Sequence, residues 1–182
     1  MSGTRPDTVH GKIFENMIKG VFSDVEKRMP CKLTKITDSH SAGNLIDVVS
    51  GDFELLVPRV WPESVKFIIE CKASKVESTL QGCFRSFIKP GPLGLVRKEK
   101  RAGAVPIVMF YSLEREEIEI WDYVPIYEVH SIKREPIPDF PLAIVSKTNL
   151  LTMAEKIVSS QGRWLTDKVR YTPAAKLERG TK

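Results

Sequence analysis

The chain is poor in the residues that build disulfide and metal–thiolate proteins. It has three cysteines in 182 residues, Cys31, Cys71 and Cys83. The count is odd and no two are spaced CxxC. That favours free thiols in a reducing compartment over a disulfide framework or a zinc site. The three histidines, His10, His40 and His130, are scattered and form no HxxxH pair, so a histidine-based metal centre has no support. No apolar run approaches the ~20 residues a membrane helix needs. The first twelve residues, MSGTRPDTVHGK, lack the apolar stretch of a secretory signal. A cytoplasmic protein is expected, or one of the host cytoplasm if the source is viral, with no membrane partner. Internal repeats and low-complexity tracts are also missing.

What is present is an ordinary globular composition, 42% apolar and 28% charged, which argues against wholesale disorder. The length suits one domain with a real core. The net charge of +5 is unevenly spread. Residues 85–101 hold six basic residues, Arg85, Lys89, Arg97, Lys98, Lys100 and Arg101, against the single acid Glu99. Residues 161–182 hold six basic residues against Asp167 and Glu178, whereas 113–123 hold five acids and one arginine. Two basic segments suit a polyanion such as nucleic acid, and on charge alone they equally suit a solvated surface. No recognition-helix or zinc-finger pattern appears, so contacts from Arg97, Lys98, Lys100 and Arg101 would position phosphates rather than read bases.

Hydrophobic spacing predicts a first helix over 11–29, with Phe14, Ile18, Val21, Phe22, Val25 and Met29 on one stripe and Pro30 as its stop. Strands are expected over 32–37, 45–49, 53–57, 65–71, 105–111, 118–121 and 142–145, the second and third of them paired as a hairpin around Ser50–Asp52. Helical spacing returns over 74–88. Residues 89–101 read as a mobile basic loop. Asn149 is placed to cap a helix running to about Ser159. Residues 1–160 then form a single domain, and 161–182 a basic, flexible tail. The implied fold class is α/β, a mixed central β-sheet flanked by helices.

One stretch does not fit a plain core strand. In IIECKAS (68–74), Glu70 and Lys72 interrupt an apolar run, where charges are costly unless paired or liganded. Strand alternation resolves part of this. Phe67, Ile69, Cys71 and Ala73 share one face, and Glu70 and Lys72 project together from the other. An isolated Glu-x-Lys is usually a salt bridge. Here Asp47 lies inside a second apolar strand, LIDVV, and converging carboxylates are what hard divalent cations take. Such ions activate water and stabilise charge on a scissile phosphate. Asp52 competes with Asp47 for this role, but Ser-Gly-Asp reads as a turn and turn aspartates are usually structural, so Asp47 is preferred.

These residues resemble the PD-(D/E)xK nuclease superfamily, and within it the Holliday-junction resolvases of archaeal and phage type. The resemblance spans roughly residues 11–121 and rests on Glu15 in the first helix, on SAGNLIDVV with Asp47, and on IIECKAS with Glu70 and Lys72. It departs from the motif at Ile46, where the name-giving proline would stand. It implies a restriction-endonuclease-like core, and magnesium (or manganese in its place) held by Glu15, Asp47 and Glu70. Lys72 would be catalytic and Ser41, or Ser39, a further contributor. Gln81 would lie near the phosphate, and Arg85 belongs to the same DNA-contacting set. The implied activity is a structure-selective DNA endonuclease, a homodimer making paired symmetric nicks in four-way junctions. Restriction, repair or end-processing cleavage, and DNA binding without catalysis, are the alternatives.

Overall fold

The computed structural model describes residues 8–36, 51–60, 63–75, 79–80, 93–123 and 141–171. Helix α1 (Thr8–Glu26) opens the chain. Its stripe is as expected, with Phe14, Ile18, Phe22 and Val25 fully buried. It ends before Pro30, and the Glu26 carboxylate then accepts the Leu33 N–H at 2.5 Å, tying the helix end to the strand that follows.

Among the described residues, six strands form one sheet: β1 (Lys32–Lys35), β2 (Phe53–Pro58), β3 (Ser64–Ser74), β4 (Val105–Ser112), β5 (Glu117–Asp122) and β6 (Ala143–Ser146). Their order across the sheet is their order in the chain. β3 and β4 run parallel and the other four pairs antiparallel, so the sheet is mixed, as the sequence implies. Odd-numbered residues of β2 and β3 (Phe53, Leu55, Val57, Phe67, Ile69) pack with α1 and with helix α3 (Leu150–Ser159) in one core. The opposite face carries helix α2 (Leu93–Arg101), docked by Glu99 on Lys66 of β3 at 2.7 Å.

Three sequence expectations need correction. Residues 93–101, read as loop, are α2: Val96 is fully buried, and Lys98, Lys100 and Arg101 crowd the last turn, where the helix dipole favours cations. Residues 163–171, read as tail, form helix α4 (Arg163–Tyr171), with Leu165 and Thr166 buried. With four charged residues in nine, so short a segment reads as tail in the sequence. β2 pairs with β1 on one edge and with β3 on the other; the partner strand expected at 45–49 lies outside the described residues. Asn149 does stand at the α3 N-cap position, but its side chain makes no capping bond, and a 3₁₀ turn (Lys147–Asn149) leads into the helix instead.

Gly162 sets the angle between α3 and α4. Its φ is +76°, and an added Cβ would lie 2.5 Å from Val65 Cγ1 and 3.1 Å from the Phe67 ring. Gly162→Ala therefore strains the backbone and collides with the core at once. An expected loss on the order of 2 kcal/mol, read as a lower urea midpoint, follows. An unchanged midpoint would mean that α4 is not held against β3.

Candidate functional site: an acid–lysine cluster on β2 and β3

The alternation of β3 is as the sequence implies. Ile69, Cys71 and Ala73 are buried on the α1 side, and Glu70 and Lys72 leave by the other face, where the Lys72 ammonium donates to the Glu70 carboxylate. Both side chains are largely shielded, at 14% and 25% exposure. Two charges so sheltered need partners close by.

The residue that meets them is Asp52, the second choice from sequence. Gly51 makes this possible. Its φ is +146°, and a Cβ there would fall 2.8 Å from Ile68 Cγ2 and 3.1 Å from the Ile69 carbonyl, so only glycine lets the chain cross β3 this closely. Asp52 is then stitched to both neighbours: its N–H donates to the Ile69 carbonyl at 2.8 Å, and its carbonyl accepts the Ile36 N–H at 2.9 Å. The β2–β3 register ends at Phe53–Ile69, and Asp52 stands just beyond it, at the end of β3 that carries Glu70. The Asp52 carboxylate accepts the Cys71 N–H at 2.6 Å, one residue past Glu70.

The electrostatics follow from this crowding. Burial pushes the Asp52 carboxyl up to about 7, and the Glu70 charge pushes it the same way; the Cys71 N–H and Lys72 act against them, and Glu15 adds a smaller push upward. The Cys71 thiol, wholly enclosed, is pushed well up by burial and then by Asp52, Glu70 and Glu15. Glu15 approaches from α1 and binds Lys35 of β1 at 2.6 Å, and this bond raises the lysine.

A pH dependence results. A carboxyl that titrates near 7 folded and near 3.8 unfolded binds its proton more tightly when folded. The stability it lends is complete below the unfolded value and is lost as pH rises through the folded one, between about pH 4 and 7. In chelator, Asp52→Asn should therefore gain stability over the parent at pH 8 but not at pH 4. The gain is at most about 4 kcal/mol in urea unfolding. Equal stability of the two proteins at both pH values would refute the crowding.

Of the other residues named from sequence, Asp47, Ser41, Ser39, Gln81 and Arg85 lie outside the described residues, as does the Arg97 side chain. Lys98 and Arg101 are exposed on α2, and Lys100 lies 3.7 Å from the buried Asp122 carboxylate. The α2 anchor, Lys66, shares the Glu70 face of β3 but sits four residues away, about 13 Å along the strand. Lys35 is a site residue that sequence reasoning misses, because KLTK reads only as a polar edge strand.

Among the described residues, no group of three or more His, Cys, Asp or Glu side chains is gathered closely enough to hold a metal ion. Asp52 and Glu70 still offer the right chemistry for a hard cation. They are oxygen donors on adjacent strands, partly buried, and held at a mutual repulsion that a divalent charge would relieve. Magnesium in particular is often held by one or two carboxylates, with water and substrate phosphate completing its shell.

Fold and cluster together define a mixed α/β protein with paired carboxylates and a lysine at one end of β2 and β3. No family model matches the chain, and no curated protein does. Among solved structures, it is similar to the MspJI restriction endonuclease in complex with a 27-mer oligonucleotide, at 15% identity and a TM-score of 0.34. That match covers 89% of this chain and 32% of the other.

Proposed function

We propose that this protein is a divalent-cation-dependent DNA endonuclease of the PD-(D/E)xK kind, acting on four-way junctions as a homodimer. The observation that carries the reading is the Asp52 carboxylate bonded to β3 beside the Glu70–Lys72 pair. Asp52 takes the part of the strand aspartate, in place of Asp47. Asp52 and Glu70 would hold magnesium, which supplies a Lewis acid that activates water and neutralises charge on the scissile phosphate. Glu70 would hold the Lys72 ammonium in place to meet a phosphate oxygen. Lys98 and Arg101, exposed on α2, support contact with a polyanion.

Labelled four-way junction and linear duplex, each incubated with magnesium and with chelator, test this reading. Symmetric paired nicks in the junction that vanish in chelator are expected. Cleavage of linear duplex at a fixed sequence would keep the nuclease and remove the junction. A second reading, DNA binding without catalysis, is favoured by the direct Lys72–Glu70 bond, which satisfies both charges within the chain. Junction binding with no cleavage in any divalent cation would establish it.

A further inference from the structure

Where α3 turns into α4, the chain builds a group of cations around one aromatic ring. The turn runs through Gln161 and Gly162, both at positive φ (54° and 76°). It folds back sharply enough for the Ser160 hydroxyl to accept the Trp164 N–H at 3.1 Å. Trp164 is thereby fixed beside the end of α3, half-buried against the core. Lys156 of α3 stands 5.1 Å from the centre of its ring, and Lys168, one turn along α4, stands 5.0 Å from it. The two ammonium groups are therefore held no more than about 10 Å apart. Lys168 is secured again by donating to the Leu142 carbonyl at 2.7 Å. Arg163, next to Trp164, is exposed, as is Lys156.

Lys27, Lys35, Lys66, Lys72 and Lys147 each bind a carboxylate. Among the described residues, Lys156 and Arg163 make no ion pair. Glu155, beside Lys156, is turned to Arg28 at 2.7 Å, and the exposed Asp167 pairs with neither of them. An ion pair cancels a lysine's charge, whereas an indole ring holds the ammonium in place and leaves its charge intact. Cations fixed in advance lose little freedom when an anion arrives. We propose that this face of α3 and α4 is a second nucleic-acid surface, where Lys156, Arg163 and Lys168 meet the phosphates of duplex DNA around Trp164. The inference rests on DNA being the partner, as read above, and not on the acid cluster cutting it. Gly162 packs on Val65 and Phe67, so α4 lies on the α1 side of the sheet, opposite Glu70, Lys72 and α2. DNA lying along α2 leaves this face open to another arm of a branched substrate. Charge complementarity continues in the sequence, where Lys176, Arg179 and Lys182 follow α4 against the single acid Glu178.

Fluorescence anisotropy of a labelled duplex, titrated with the full chain in chelator over a range of salt, tests this surface. Lys156→Gln combined with Arg163→Gln should weaken binding about tenfold and lower the salt slope by about two, at ~0.9 per phosphate contact. Lys27→Gln combined with Lys32→Gln removes the same charge elsewhere, and should keep the slope and stay within about twofold. Trp164→Phe keeps a ring under the lysines and should bind like the parent. Trp164→Leu, folded by circular dichroism, should bind about threefold more weakly. Equal binding by these two variants overturns the role of the ring. The surface itself is overturned if the first pair binds as the parent does, or no worse than the control pair. It is overturned too if that pair loses binding to phosphatidylserine vesicles and not to DNA, which makes the face a membrane one. Each of these results leaves the proposed nuclease standing. No duplex bound by the parent at low salt refutes DNA as the partner, and both readings with it.

Discussion

On the function proposed above, Asp52→Asn and Glu70→Gln should each reduce magnesium-dependent cleavage at least about a thousandfold, equivalent to about 4 kcal/mol of barrier. The affinity for DNA, measured in calcium or in chelator, should stay within about threefold, because phosphate contacts and not these acids supply it. Both substitutions are nearly isosteric. In Asp52→Asn the new amide oxygen can keep the bond to the Cys71 N–H, so the fold is preserved. Asp47→Asn is the informative comparison. A loss below about tenfold there, beside a thousandfold loss at 52, assigns the strand carboxylate to Asp52. The opposite result returns the role to Asp47 and leaves Asp52 as a structural pin between β1 and β3.

The second large effect is on stability. Glu119 is 1% exposed and accepts three bonds: Trp121 Nε1 at 3.0 Å, the Leu80 N–H at 2.9 Å and Arg115 Nη2 at 2.7 Å. It fastens Leu80, in the long connection between β3 and β4, to the middle of β5. Glu119→Ala strips these partners of their acceptor in a buried setting and should cost about 3–5 kcal/mol in urea unfolding. Glu117→Ala removes a partner of the same Arg115 at 2.9 Å, but from a side chain 39% exposed, and should cost below about 1 kcal/mol. Near-equal losses for the two would show that the Glu119 bonds do not anchor that connection.

The two halves of the candidate site differ in how far the sequence reveals them. Glu70 and Lys72 are legible because alternation on a strand is strictly periodic, and IIECKAS defines which residues share a face. Asp52 is hidden because Ser-Gly-Asp has the composition of a turn. A signal does exist. An antiparallel hairpin of Phe53–Val57 on Val65–Ile69 makes paired positions sum to a constant, and that brings the residues just before Phe53 to the end of β3 that carries Glu70. It is obscured by the competing expectation that 53–57 pairs backward with 45–49. Lys35 carries no local signal at all, since its partner lies 20 positions away in another element. α2 and α4 escape sequence reading for a related reason. Each is nine residues long, and charged residues make up five of the nine in α2 and four of the nine in α4.

The sheet whose spatial order repeats its chain order has a consequence for how the protein assembles. Each strand pairs with the next strand in the chain, and two of these pairs, β2–β3 and β4–β5, close over short links of residues 59–63 and 113–116 at small entropic cost. Four closures are longer: β1 to β2 across residues 36–52, the parallel joining of β4 to β3 across 75–104, β6 to β5 across 123–142, and the return of α3 onto α1. Folding speed is governed by such distant contacts. Asp52 and Glu70 meet where β2 joins β3, two strands separated in the chain only by residues 59–63, so their approach depends on a short closure and not on the joining of β4 to β3.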